Sequence, residues 1–97
     1  MTGMQINEFM DKIYYGDELE FKIGSTTYFI QGSQVNGKFL LTVDYWNVTD
    51  GSEPQHDYLL SLECDSAEER MQKFEEANIF GSKNIYQAES TIEVIFG

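Results

Sequence analysis

Strict alternation of apolar and polar residues, broken at turn residues, limits this chain more than any other feature. Leu19, Phe21 and Ile23 alternate with Glu18, Glu20 and Lys22, the pattern of a strand with one face buried and the other in water. The segment Asp17 to Ile23 is therefore read as a strand, and Gly24-Ser25 as a tight turn. Thr26 to Gln31, rich in β-branched and aromatic residues, is the expected return strand of a hairpin. Asn36-Gly37 marks a second turn, and Lys38 to Trp46 a third strand. Phe39, Leu41, Val43 and Tyr45 alternate there with Leu40, Thr42, Asp44 and Trp46. Apolar groups on both faces predict an interior strand. Asn47 to Asp57, holding Gly51 and Pro54, reads as the longest loop, and Tyr58 to Glu63 as a fourth strand.

Helical spacing brackets these strands. Ile6, Phe9, Met10 and Ile13 form one apolar stripe, with Asn7 the expected N-cap and Gly16 the stop. Ser66-Ala67-Glu68-Glu69 has the form of a capping box. It predicts a helix to about Asn78 with Ala67, Met71, Phe74 and Ala77 inward and Gly81 as terminator. Ser82 is the expected cap of a further turn through about Glu89. Thr91 to Phe96 alternates again, with Ile92, Val94 and Phe96 as its inner face, and is expected to pair with the first strand. Strands in a cluster flanked by helices predict an α+β fold: an antiparallel sheet of four to five strands with an N-terminal helix and a second helix on one face. At 97 residues the chain is expected to be a single domain. Its seven Phe, six Tyr and one Trp supply a core and separate it from a disordered acidic tail.

Seventeen Asp and Glu against six Lys and Arg give a formal net charge of −11. Such a surface repels nucleic acid and anionic membranes and attracts basic protein surfaces. Neither is expected as a direct partner; a basic protein surface is, with a nucleic-acid-binding enzyme the class in view. The lone cysteine, Cys64, and the charged residues Glu8, Asp11 and Lys12 near the start point to a reduced, cytoplasmic setting without a signal peptide.

The residues that carry common chemistries are sparse. His56 is the only histidine and Cys64 the only thiol, so a nucleophile–His dyad would have to join these two. A structural zinc site, which needs about four ligands, is not expected. Aligning Gly51 with the glycine of a calcium loop puts Trp46 and Val48 at ligand positions, which they cannot fill. Gly81-Ser82-Lys83 lacks the upstream glycine of a phosphate loop. No metal, cofactor or catalytic group is expected, and the chain is not read as an enzyme.

Charge concentrates in two stretches. Asp17, Glu18 and Glu20 open the first strand. Asp57, Glu63, Asp65, Glu68, Glu69, Glu75 and Glu76 surround the second helix, against Arg70 and Lys73. Glu68 and Glu75 share one line along that helix, extended by Asp65; Glu69 and Glu76 share a parallel one. Glu68 and Glu75, like Glu69 and Glu76, stand about 10 Å apart along the axis, somewhat more than successive phosphates of a DNA strand. Asp65, Glu68, Glu69, Glu75, Glu76, Asp17, Glu18 and Glu20 are the candidate partner contacts. Trp46, beside the long loop, is the candidate aromatic anchor.

Ile13-Tyr14-Tyr15-Gly16-Asp17-Glu18-Leu19-Glu20-Phe21, Tyr28-Phe29-Ile30-Gln31-Gly32 and Ile79-Phe80-Gly81-Ser82-Lys83 resemble a pattern in small uncharacterised acidic proteins of Gram-positive bacteria and their phages and mobile elements. In size and charge alone the chain is also similar to anti-CRISPR inhibitors. That likeness implies a DNA mimic occupying the DNA-binding cleft of a nuclease. The leading expectation is thus an acidic protein-binding domain of this kind. The alternatives are a general interaction module whose acidity serves only solubility, and a small enzyme using Cys64 and His56.

Overall fold

The computed structural model describes residues 1–47 and 55–97. Among these the chain forms an α+β domain in the order α1 (Ile6–Tyr15), β1 (Leu19–Ile23), β2 (Thr26–Val35), β3 (Lys38–Asn47), β4 (Gln55–Cys64), α2 (Ala67–Glu76), α3 (Ile85–Ala88), a 3₁₀ turn (Glu89–Thr91) and β5 (Ile92–Phe96). The sheet order is β4-β3-β2-β1-β5, antiparallel throughout. The first four strands form a meander, and β5 returns to the outer side of β1. As expected, β3 is interior and the last strand pairs with the first.

The turns follow from backbone chemistry. Asn36 and Gly37 both adopt positive φ, the conformation that matches hairpin twist in a two-residue connection. Gly16, at φ 77°, ends α1: its amide donates to Ile13 and that of Asp17 to Lys12, so two terminal carbonyls find partners.

One face of the sheet carries Leu19, Phe21, Tyr28, Ile30, Leu41, Val43 and Ile92. It packs on Phe9, Met10 and Ile13 of α1, Phe74 of α2, Phe80, and Ile85 and Ala88 of α3. Aromatic contacts knit the layers: Phe21 stacks on Tyr28 at 5.2 Å and meets Phe9 edge-on at 5.3 Å, while Phe80 meets Tyr28 edge-on at 5.1 Å. Burying a side chain of this size contributes roughly 1.5–3 kcal/mol.

Several local expectations give way. The N-cap of α1 is Gln5 rather than Asn7, which lies inside the helix. β1 begins at Leu19, and β2 continues past Gln31 to Val35 because β3 supplies partners along its whole length. Asn47 and 55–57, read as loop, belong to strands; the remainder of that loop, 48–54, lies outside the described residues. Helix α2 ends at Glu76, with Ala77 already extended, so Gly81 does not terminate it. Asn84, not Ser82, caps α3, in a reciprocal pair with Gln87. Phe96 does not face inward. Glu20 pairs with Phe96 but Phe21 with Val94, so Ile95 is a bulge. One extra residue reverses the alternation and turns Phe96 to the side of Glu20, where it is 57% exposed.

Candidate partner-binding surface

The carboxylates on α2 are held by an ordered frame. The Ser66 hydroxyl accepts from the Glu69 amide at 3.1 Å, half of the expected capping box. The reciprocal half is shifted by one residue, because the Glu69 carboxylate accepts from the Asp65 amide at 3.2 Å. Glu69 also pairs with Lys73 at 3.2 Å, and Asp65 with Lys38. The Tyr14 hydroxyl donates to Glu68 at 2.8 Å and clasps α1 to α2. This bond lowers the Glu68 carboxyl and raises the Tyr14 phenol from their ordinary values. The ion pair with Lys38 likewise lowers Asp65. Glu76 accepts from Gln72 at 3.3 Å.

Arg70 is the residue whose place differs most from expectation. Read in sequence as a counter-charge to its acidic neighbours, it is only 3% exposed. Its guanidinium donates to three backbone carbonyls: Tyr14 at 2.6 Å, Leu40 at 3.2 Å and Ser33 at 3.4 Å. The Tyr14 carbonyl is in the last turn of α1, where acceptors lack helical partners and the dipole favours a cation. The Phe39 ring centroid lies 5.5 Å from the guanidinium carbon, within cation–π range. Burial lowers the Arg70 pKa, partly opposed by Cys64. Space for the group comes from Gly16 and Gly32, where an added Cβ would stand 3.3 Å and 3.2 Å from its terminal nitrogens. With Arg70 inside, the exposed side of α2 bears Glu68 and Glu76, half-exposed Glu69 and Glu75, and a single cation, Lys73.

The predicted contacts do not form one surface. Glu68, Glu69, Glu75 and Glu76 lie on α2, on the helical side of the sheet, while Asp65 follows the end of β4 and is paired with Lys38. Glu20 is on the opposite side, with Lys22, Phe29 and Glu93. Glu18 joins that side by accepting from Gln31 at 3.4 Å. Asp17 is exposed in the link between α1 and β1. The Trp46 backbone pairs with Thr27 and His56; its side chain lies outside the described set. Cys64 is buried at the far end of β4 from His56. Eight residues of strand separate the two by about 26 Å, so the supposed dyad is not assembled.

Sequence reasoning missed both Arg70 as a buried group and Phe96 as a surface group. A signal existed for the first: position 70 falls between Ala67 and Phe74 on the helix's apolar stripe. Among the described residues no cluster of three or more His, Cys, Asp or Glu could hold a metal ion, and no helix is long and apolar enough to cross a membrane. No protein-family model, curated protein or solved structure matches the chain.

Proposed function

We propose that this domain binds a basic protein surface through its carboxylates, as a mimic of nucleic acid that occupies the site of a nucleic-acid-binding enzyme. The observation that carries this reading is α2: four glutamates stand on its accessible side while its arginine is drawn into the core. The helix is capped by Ser66 and tied to α1 through Glu68, so its charges are presented on a fixed frame. Fixed charges lose less entropy on binding than a flexible acidic tail, and they steer a basic partner at low ionic strength.

The test is capture from the source cell on immobilised domain at low salt, followed by elution with duplex DNA. Nucleic-acid-binding proteins should be retained, should be displaced by the DNA, and should be lost at ~0.5 M salt. The variant Glu75→Lys/Glu76→Lys keeps the helix favourable, since cations suit its C-terminal end, and should retain much less. Retention indifferent to salt and to DNA would refute mimicry.

A further inference from the structure

We propose that the open face of the sheet is a second contact surface, and that it receives a cationic side chain, Lys or Arg, flanked by apolar residues on the basic partner. This rests on the reading above and places a contact that α2 does not supply. All described helices pack on the other face. On the open face, register sets Phe96 opposite Glu20, and Glu20 opposite Phe29. One carboxylate therefore stands between two phenyl-bearing positions, at cross-strand separations of about 5 Å between Cβ atoms. Glu18 lies beyond, through Gln31, and Glu93 opposite Lys22. Leu40 and Glu63 are paired further along the same face. Phe96 and Ile95 are 57% and 49% exposed, large apolar groups in water at a sheet margin.

Charge decides the occupant. A second copy docking here would set Glu18, Glu20, Asp44, Glu63 and Glu93 against the same set, with Lys22 alone to offset them among the described residues, since Lys38 is already paired with Asp65, and like charges across an interface are costly. A cation suits both components of the site: the carboxylate attracts its charge, and aromatic faces attract it through their quadrupoles.

Titrating the ¹⁵N-labelled domain at low salt with acetyl-Leu-Arg-Leu-amide, and with acetyl-Leu-Gln-Leu-amide as the uncharged control, tests the proposal. The arginine peptide should shift amides of Glu20, Phe29 and Phe96, and the control should do so far less. Glu20→Gln should weaken binding about tenfold, near 1.4 kcal/mol, and Phe96→Ala should weaken it while leaving the spectrum of the core unchanged. Shifts confined to α2 would overturn this surface and leave the proposed function standing. Equal response to both peptides, no response to either, or a dimer by sedimentation that Phe96→Ala dissociates would each overturn it.

Discussion

Arg70 holds α2, the end of α1 and the β2–β3 hairpin together through one guanidinium. Truncation to alanine removes three donors and leaves a void under α2. Arg70→Ala should therefore cost about 3 kcal/mol in urea unfolding; Arg70→Lys should cost less, because the lysine stem and charge keep part of the site filled, but should still destabilise, because one ammonium cannot reproduce the fork that reaches three carbonyls. The glycines that accommodate it are equally constrained. A Cβ on Gly32 would fall 2.5 Å from the Gly16 Cα, so backbone must move. Gly32→Ala should destabilise by roughly 1–3 kcal/mol, whereas an alanine at Gly24 or Gly37 meets no neighbour within 4 Å and is limited by positive φ alone. Nothing in the residue type announced these roles. An arginine among glutamates reads as a surface charge, and a glycine in a strand does not say which backbone approaches it.

At the scale of elements, the helices were legible where spacing and caps agree. The stripe Ile6, Phe9, Met10, Ile13 and the Ser66 cap both stand, and Ser66→Ala should lower stability by about 1 kcal/mol in thermal unfolding. Element ends were less legible, because pairing partners set them: β2 extends to Val35 only because β3 lies alongside. The clasp between α1 and α2 carries a pH dependence. Glu68 titrates below its ordinary value of 4.5, so its contribution is present above that pH and disappears as pH falls through the lowered value. Tyr14 titrates above its ordinary 10.0, so its contribution is present below that pH and disappears as pH rises through the raised value. Burial raises Tyr28 too, and its ionisation opposes folding on the alkaline side. Stability should thus be highest between these limits, and Tyr14→Phe should flatten the acid limb, as followed by urea unfolding across pH.

For the whole molecule, seventeen acidic residues against six basic ones mean self-repulsion that salt relieves. Raising salt from ~0.1 M to ~0.5 M shortens the screening length from about 10 Å to about 4 Å. The melting temperature should rise by about 4–8 °C for each kcal/mol of repulsion removed; a fall would show that the Lys38–Asp65 and Lys73–Glu69 pairs outweigh the surplus. The sequence alone determined the α+β class, the meander and its turns, the amphipathic stripes and the size of the charge. Each of these is written in residues close together along the chain. Only the tertiary structure decided that Arg70 is interior, that a bulge at Ile95 turns Phe96 outward, and that the candidate carboxylates divide between two sides of the sheet. Those outcomes depend on what long-range pairing brings opposite each residue, and local spacing carries no record of that partner.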